Sequence, residues 1–439
     1  MYSFNNKIEF TKGKLSLPFV RLLKIPHMEN KMENKCEYDV IIWGATGFTG
    51  RLVAEYYLNK YGLDGELKWA MAGRSQTKLE QVRSLLGNEN IPIITADSHD
   101  VESLNALVKQ TKVICTTVGP YAIYGNELVA ACVEHGTDYC DLAGETQWIR
   151  RMIDLHHDAA QKSGSRIVHC CGFDSIPSDL GTYYLQREAK NKTGEYCQHV
   201  KMRLKAIKGA FSGGTFASMN NVMAEASKDP AVAKNLFNPY GLNPSGEQSG
   251  PDKGDLQSVK YDEDFGAWVM PFIMAAINTR VVRRSHALND YPYGKDFRYD
   301  EAMSSGKGLT GRLKGYAGLV VLGALMAGKP ESLYKKLLNK VLPSPGEGPS
   351  LADREAGYYN FTVIGKFKDG KVMTAKVTGD RDPGYGSTSK MLGESAACLA
   401  LDVQSGTLAS GVITPSTAMG DALLNRLEEK AGLSFSIVE

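Results

Sequence analysis

A glycine-rich turn between a short apolar run and a helical segment constrains the fold of this chain most strongly. Tyr38–Trp43 reads YDVIIW, which is typical of a buried strand, and residues 51–60 have helical composition and periodicity. In such a unit the first glycine permits a tight turn, the second lets the backbone approach a pyrophosphate, and the third lets the helix pack closely. The N–H groups at the start of the helix then face the phosphates. This predicted dinucleotide site, spaced GxxGxxG instead of GxGxxG, comprises Gly44, Ala45, Thr46, Gly47, Phe48, Thr49 and Gly50.

Apolar runs and helical segments alternate along the first half of the chain. Further strands are predicted at 68–72, 91–95, 113–118, 139–142 and 166–171. Helical segments lie between them, and Asp100 is the predicted N-cap of one. Strands that alternate with helices of this length indicate βαβ units and a parallel sheet. The sequence therefore predicts an α/β fold with an N-terminal Rossmann domain.

The residues after the second strand predict which dinucleotide binds. An NAD site usually places an acid there to hold the ribose 2′-hydroxyl, but this chain reads AGRS. Arg74 offers a guanidinium to a 2′-phosphate and Ser75 adds a hydroxyl donor, so NADP is expected in preference to NAD. Asp97, after the third strand, is either an acceptor for the adenine amino group or a cap. Gly119 and Pro120 end the fourth strand, where the backbone can approach the nicotinamide.

Polar residues near the expected nicotinamide position are the candidates for catalysis and substrate binding. Tyr121 and Tyr124 follow the fourth strand, and Tyr385 lies in the polar loop GDRDPGYGST; a phenol with a pKa near 10 suits a proton donor at neutral pH, although packing beside the ribose explains them equally well. That loop also contains Arg381. The loop is either a wall of the site or a turn that connects two elements. Asp174 and Ser175 follow the sixth strand, where they either line the site or, as is favoured, cap the next helix.

The pattern changes in the second half. Residues 200–207 alternate apolar and cationic side chains, as a half-exposed strand does, and a helix is predicted from Gly213 to 226. Residues 360–366 and 372–378 also alternate and flank KDGK, which predicts a hairpin. These patterns indicate a second α+β domain with a mixed or antiparallel sheet.

Composition excludes several classes of partner. The net charge is +2, with 51 basic and 49 acidic residues interspersed, so nucleic acid is not an expected partner. The eight cysteines are scattered without a CxxC pair, which favours free thiols in a reducing compartment and gives no reason to expect a metal. A cytoplasmic protein is therefore expected. Residues 1–36 are interpreted as a disordered or non-native extension, with a targeting peptide as the alternative.

The most apolar later stretch is GYAGLVVLGALMAG, at 315–328. It is shorter than the roughly 20 residues that span a bilayer. A buried helix is the favoured interpretation. The alternative is a helix that contacts a membrane surface or an acyl chain, which would make the protein peripherally membrane-associated.

The quoted motifs resemble the saccharopine dehydrogenase-like oxidoreductases, and within them the trans-acting enoyl reductases of bacterial lipid biosynthesis. The resemblance covers roughly residues 38–439. It implies a Rossmann domain, a mixed α+β second domain, and C-terminal helices that return to the first domain. It also implies reduction of a lipid-type substrate with a nicotinamide cofactor. The segments that carry it are YDVIIWGATGFTG, AGRSQTKL, TTVGPYAIYG, YCDLAGE, CCGFDSIPSDLG, PFIMAAINTRVVRRS, GDRDPGYGSTSKMLGESA and TPSTAMGDALL.

The leading hypothesis is an NADPH-dependent reductase of an activated double bond, such as the enoyl thioester of a small or carrier-bound lipid. One alternative is C–N oxidoreduction of an opine or amino acid, for which Arg280, Arg283 and Arg284 are a candidate carboxylate clamp, although a solvated helix end also explains them. Another is a catalytically silent nucleotide-binding protein at a lipid surface. The predicted parts are the extension, a Rossmann domain, an α+β substrate or dimerisation domain that would allow a homodimer, and the C-terminal helices, at 1–36, 37–195, 196–384 and 385–439.

Overall fold

The computed structural model describes residues 36–209, 213–326, 348–403 and 409–438. The unit that begins at Cys36 is compact. Residues 1–35 of the interpreted extension lie outside the described residues.

Strands fall into two sheets. Their bounds, in chain order, are β1 Tyr38–Trp43, β2 Trp69–Gly73, β3 Ile93–Thr95, β4 Thr111–Thr116, β5 Asp138–Cys140, β6 Arg166–Val168, β7 His199–Lys208, β8 Lys260–Asp262, β9 Ala267–Met270, β10 Arg298–Gly306, β11 Tyr358–Lys366, β12 Val372–Gly379, β13 Gly411–Ile413 and β14 Leu433–Val438.

Helices connect the strands and cover the sheets. They are α1 Phe48–Tyr61, α2 Gln76–Leu85, α3 Val101–Val108, α4 Tyr121–Tyr124, α5 Asn126–His135, α6 Thr146–Ser163, α7 Ile176–Thr193, α8 Gly213–Lys228, α9 Pro230–Phe237, α10 Ala275–Leu288, α11 Gly308–Met326, α12 Leu351–Glu355, α13 Thr388–Leu401 and α14 Pro415–Arg426, with π-helical turns at Pro383–Ser387 and Leu427–Ala431. The Asp100 side chain caps α3 by accepting hydrogen bonds from the N–H groups of Glu102 and Ser103, which confirms its predicted role.

The first sheet is parallel and has the order β13-β6-β5-β4-β1-β2-β3 among the residues described. Its central strand β1 is buried from Asp39 to Trp43, because helices cover both faces of a parallel sheet. The order reverses between β1 and β4, which both lie at the centre of the sheet. This reversal opens a crevice at the carboxyl edge, where ligands of such sheets bind. The predicted Rossmann fold is confirmed.

The second sheet is mixed, with the order β14-β12-β11-β7-β10-β9-β8 in the described chain. β7 pairs with β10 in parallel, whereas the hairpin of β11 and β12 is antiparallel and connects where KDGK predicted a turn. The predicted second α+β part is therefore confirmed.

Residues 385–439 hold more than the expected helices. The helix α13 packs against α1 and β4, and the Tyr57 hydroxyl donates to the Gly393 carbonyl over 2.7 Å. The same segment adds β13 to the parallel sheet and β14 to the mixed sheet. β13 has only three residues, too few to show a pattern, whereas the LSFSIV of β14 does alternate and was overlooked.

The prediction of a buried helix at 315–328 was wrong. α11 has several exposed apolar side chains, including Val320 at 71% exposure, and Ala327 and Gly328 lie outside the described residues. Within the described ranges, no helix combines the length and apolarity that crossing a bilayer requires.

Candidate functional site

The glycine turn forms a tight bend at the carboxyl end of β1. Gly44 has a φ of +91°, and a Cβ there would lie 2.6 Å from Cγ2 of Val118. A Cβ at Gly50 would lie 2.2 Å from the Gly44 carbonyl oxygen, so α1 packs this closely only because that residue is glycine. The first turn of α1 has neither a side-chain cap nor an acidic residue. Its N–H groups are therefore available to an anion.

We expect Gly44→Ala to weaken NADPH binding at least roughly tenfold, because the new methyl group must displace Val118 and with it the wall of the pyrophosphate site. Gly62→Ala is the matched control: Gly62 also has a positive φ, of +64°, but a Cβ there meets no atom within 4 Å. That variant should lose roughly 1–3 kcal/mol of folding stability, because the ψ of −156° at Gly62 belongs to a backbone region that is nearly restricted to glycine, and it should bind NADPH normally. Fluorescence titration with NADPH and thermal unfolding measure the two effects. Equal NADPH affinities in the two variants would contradict this function of the turn.

The predicted cofactor-selecting residues follow β2 and β3. Arg74 is exposed and has no ion-pair or hydrogen-bond partner among the described residues. The Ser75 hydroxyl accepts from the Lys78 N–H at 3.4 Å and so caps α2. The Asp97 carboxylate accepts from the His99 N–H at 3.0 Å, which is a turn contact. Of these three side chains, only that of Arg74 makes no hydrogen bond or ion pair with a described residue.

A cavity of about 700 Å³ begins at the glycine turn and continues between the two sheets. Its polar end is built from the carboxyl ends of neighbouring parallel strands, which lie at one edge of the sheet. The residues of this end include Gly44, Thr46, Gly47, Phe48 and Thr49 after β1, Thr117, Val118, Gly119, Pro120 and Tyr121 after β4, Leu142 and Gly144 after β5, and Cys170, Gly172, Phe173 and Asp174 after β6.

The far part of the cavity is apolar. Helices α8, α9, α10 and α11 contribute side chains to it, and sequence analysis did not predict this wall because its members are far apart in the chain. A cavity with few polar groups and many apolar ones accommodates the hydrocarbon part of a ligand. The apolar side chains are Met219, Val222, Met223, Leu236, Phe237, Leu256, Phe272, Ile273, Met274, Ile277 and Leu322.

The three candidate tyrosines have different surroundings. The Tyr121 hydroxyl donates to the Thr116 carbonyl at 3.3 Å and accepts from the Leu142 N–H at 3.1 Å, so packing within the sheet edge occupies it. The ring of Tyr124 lies tilted against that of His99, with 5.7 Å between the ring centres, and Tyr124 is not part of the cavity wall. Tyr385 lines the cavity, contacts Phe48 edge-to-face at 4.8 Å, and accepts from the Gly213 N–H at 3.2 Å.

Asp174 and Ser175 do not cap α7, so the favoured expectation for them was wrong. The cap position has no side-chain hydrogen bond. Ser175 turns toward α10 and donates to Oδ1 of Asn278 at 3.0 Å. Asp174 instead lines the cavity, and no described residue donates a hydrogen bond to it. Burial without a partner raises the pKa of Asp174 to about 6.

Arg381 is not part of the cavity wall, and its guanidinium lies 3.7 Å from Glu355. The arginine cluster on α10 is neither a free clamp nor a solvated helix end. Arg280 pairs with Asp255, Arg283 lies 2.7 Å from Asp252, and Arg284 donates to the Val412 carbonyl at 2.5 Å. These side chains are buried, and the first two tie the loop before β8 to α10.

Glu145 is a residue of the site that sequence reasoning missed. Its buried carboxylate accepts from the Tyr121 N–H at 2.8 Å, the Ala122 N–H at 3.0 Å and the Ser218 hydroxyl at 2.8 Å. It therefore joins the turn after β4 to α8, one wall of the cavity. The only sequence signal was an acid in the YCDLAGE segment after the fifth predicted strand.

Comparison with known proteins agrees with this geometry. Residues 40–168 match the family model described as the saccharopine dehydrogenase NADP binding domain. The chain is 43% identical over 411 residues to a putative trans-acting enoyl reductase of Mycobacterium tuberculosis, covering 91% of this chain and 97% of that protein. It is 39% identical over 410 residues to a trans-acting enoyl reductase of Mycobacterium ulcerans, covering 90% and 96%. Saccharopine dehydrogenase of Saccharomyces cerevisiae shares the fold, with a TM-score of 0.51, 12% identity, and coverage of 92% of this chain and all of that one.

The cofactor of this chain is NADP(H). The residues present fit it, because the close approach of Gly44 to Val118 leaves bare backbone at the start of α1 for a pyrophosphate. The exposed Arg74 guanidinium at the end of β2, which no described residue pairs with, suits a 2′-phosphate.

Proposed function

The chain belongs to the family of trans-acting enoyl reductases within the saccharopine dehydrogenase-like oxidoreductases, and from this premise we propose that it reduces an activated C=C bond of a lipid- or polyketide-type enoyl thioester. It is an NADP(H)-dependent oxidoreductase. The observation that carries the proposal is the apolar cavity that continues from the glycine turn. A cavity of this kind suits a hydrocarbon chain whose reactive end lies beside the dinucleotide.

The charges of the cavity distinguish this reaction from C–N oxidoreduction. Among the described wall residues, the charged ones are Asp174, Asp255 and Arg280, and the last two pair with each other. An opine or amino-acid substrate carries carboxylates that need unpaired cations. The cavity offers none from the described residues, whereas an enoyl thioester carries no charge that needs a partner.

Asp174 is the proposed proton donor. NADPH held by the glycine turn and Arg74 would supply the hydride for the β-carbon of the double bond. Reduction then requires one proton at the α-carbon, so that one hydride and one proton saturate the C=C bond. Asp174 is the charged wall residue without an ion-pair partner in the described chain, and its raised pKa, about 6, keeps part of it protonated near neutral pH.

The remaining site residues have binding and positioning functions in this proposal. The backbone of residues 44–50 holds the pyrophosphate, Arg74 the 2′-phosphate, and Gly119 and Pro120 lie against the nicotinamide side. Tyr385 shapes the cavity beside Phe48. Glu145 positions α8 against the turn after β4 through its hydrogen bonds to both. Asp97 would accept a hydrogen bond from the adenine amino group.

Turnover with defined substrates tests the proposal. The purified chain with NADPH should oxidise the cofactor when a medium-chain 2-enoyl thioester is added, as both the free and the carrier-bound form, and the product should be the saturated thioester. A 2-oxo acid with an amine is the control and should give no oxidation. Turnover with the 2-oxo acid and amine alone would favour the opine reaction. NADPH binding without turnover on either would favour the silent nucleotide-binding protein.

Two expectations about assembly and location stay predictions. A homodimer would appear as a doubled mass in sedimentation, and a cytoplasmic location would appear in cell fractionation. A carrier protein would add contacts outside the cavity, so a substrate that is naturally carrier-bound should have a lower KM than the free thioester.

A further inference from the structure

The helix α11 turns its glycines toward the protein and its large apolar side chains toward solvent, the reverse of an ordinary surface helix. Three glycines face the protein: a Cβ at Gly311 would lie 2.2 Å from the Gly306 carbonyl oxygen, one at Gly315 would lie 2.9 Å from Val259, and one at Gly318 would lie 2.5 Å from the Met270 sulfur. These glycines let the helix backbone pack directly on β9 and β10. The face that is usually apolar and buried therefore consists of the smallest residues.

The opposite face of α11 carries large apolar side chains. Leu309, Leu313, Tyr316 and Val320 recur at intervals of three and four residues, so they form one stripe along the helix. Leu309 is 70% exposed, Leu313 61% and Val320 71%. Contiguous exposed apolar surface of this kind marks an interaction site.

The charges of the same segment are of one sign. Between residues 302 and 326 the sequence contains Lys307, Arg312 and Lys314 and no acidic residue. All three cationic side chains are exposed. An exposed apolar stripe whose own helical segment carries only cations complements an anionic lipid surface, where the cations contact head groups and the stripe enters the acyl boundary.

Aromatic residues lie where such a helix would meet the head groups. The Arg312 guanidinium lies 5.2 Å from the ring centre of Trp268 and 6.0 Å from that of Tyr316. Tyr261, which is exposed, contacts Trp268 edge-to-face at 5.6 Å. Tryptophan and tyrosine with arginine are typical of a membrane–water boundary, because each has an apolar body and a polar tip.

The helix that carries this stripe also contributes to the cavity wall. Leu322 of α11 lines the cavity, and so do Met223 and Phe237, which are themselves exposed. α11 therefore contributes to the cavity wall through Leu322 and to the exposed surface through the stripe, and the cavity wall itself includes exposed apolar side chains. A hydrocarbon chain that entered past these side chains would meet mostly apolar surface on its way to the dinucleotide end.

We propose that α11 lies on the surface of an anionic phospholipid bilayer, with the apolar mouth of the cavity directed toward the acyl chains, so that the lipid-type substrate enters from the membrane. The surface consists of Leu309, Leu313, Tyr316 and Val320 with Lys307, Arg312 and Lys314. The inference goes beyond the proposed reaction, and its test needs no turnover.

Flotation with phospholipid vesicles tests the proposal on the full-length chain. The protein should float with vesicles of phosphatidylcholine and phosphatidylglycerol, and less with phosphatidylcholine alone, and added salt should lower the bound fraction. Leu313→Asn with Val320→Asn should weaken binding roughly 100-fold, because two large apolar side chains no longer leave water. Lys307→Gln with Lys314→Gln should remove the preference for phosphatidylglycerol.

Leu155→Asn with Val372→Asn is the matched control, since these residues are of the same types and are 63% and 58% exposed on other elements. It should float as the unchanged protein does, and all variants should keep their NADPH affinity and thermal midpoint. Failure of the unchanged protein to float with the anionic vesicles would overturn the proposal. Loss of self-association in the Leu313/Val320 variant without any flotation of the parent would overturn it too, and would assign the stripe to a second copy of the chain.

Discussion

Asp174→Asn is expected to lower kcat for enoyl thioester reduction by about 10²- to 10⁴-fold, the usual contribution of a positioned acid. The amide has nearly the same shape as the carboxyl group, but its N–H protons are too weakly acidic to be transferred to the α-carbon. Asp174 is not part of the glycine turn, so NADPH affinity should change little. Steady-state kinetics together with an NADPH titration measure the two quantities.

The pH profile gives a second readout for Asp174. Burial raises its pKa to about 6, and the protonated form is the donor. The rate of the unchanged enzyme should therefore be constant below pH about 6 and fall as the pH rises above it, and Asp174→Asn should lose this inflection. In D2O the unchanged enzyme should place one deuterium at the α-carbon.

Neighbouring residues supply the controls. Ser175→Ala should leave kcat and the pH profile unchanged, because that hydroxyl bonds to Asn278 and not to the cavity. If Tyr385→Phe removes turnover while Asp174→Asn keeps both the rate and the inflection, the assignment of Asp174 as donor is wrong and the phenol is the donor.

Arg74→Asp should reverse the preference between the two dinucleotides. The change removes a guanidinium from the 2′-phosphate and places a negative charge there, so NADPH binding should weaken roughly 100-fold or more, as the loss of charge-assisted hydrogen bonds implies. NADH should bind at least as well as before, because the new carboxylate can accept from the ribose 2′-hydroxyl. Parallel titrations with both cofactors measure the ratio.

Lys109→Asp makes the same change of charge elsewhere. Lys109 is exposed and precedes β4, so it lies at the amino edge of the parallel sheet, away from the carboxyl edge where the dinucleotide binds. This variant should keep the preference for NADPH. Equal losses of NADPH and NADH affinity in Arg74→Asp would contradict the assignment of Arg74 to the 2′-phosphate.

The predictions from sequence succeeded where contiguous residues determine the structure. The glycine turn was predicted because the strand, the bend and the helix follow one another within the same short segment, and glycine alone tolerates the φ of +91° at Gly44. The hairpin of β11 and β12 was predicted for the same reason. The strand β13 was missed because it has only three residues and is stabilised by β6, far away in the chain, whereas the alternation of β14 was readable and was overlooked.

Predictions for individual side chains failed where distant elements decide the contacts. The local sequence favoured Asp174 and Ser175 as helix caps. In the structure the Ser175 hydroxyl donates to Asn278 of α10 instead, and Asp174 lines the cavity. The sequence suggested that the arginines on α10 clamp a substrate carboxylate. In the structure Arg280 and Arg283 pair with Asp255 and Asp252 of the loop before β8. The apolar run on α11 predicted a buried helix, but its glycines form the buried face and several of its large apolar side chains are exposed.

The sequence by itself determined the Rossmann fold, the dinucleotide turn and the preference for NADP, because each depends on residues adjacent in the chain or at a fixed offset from a strand. Only the tertiary structure decided the shape of the cavity, the position of Asp174 in its wall without a hydrogen-bond donor among the described residues, and the exposed face of α11. These three features depend on which distant helices meet across the crevice. Whether a given side chain acts as a helix cap, an ion-pair partner or a proton donor depends on the residues that pack against it.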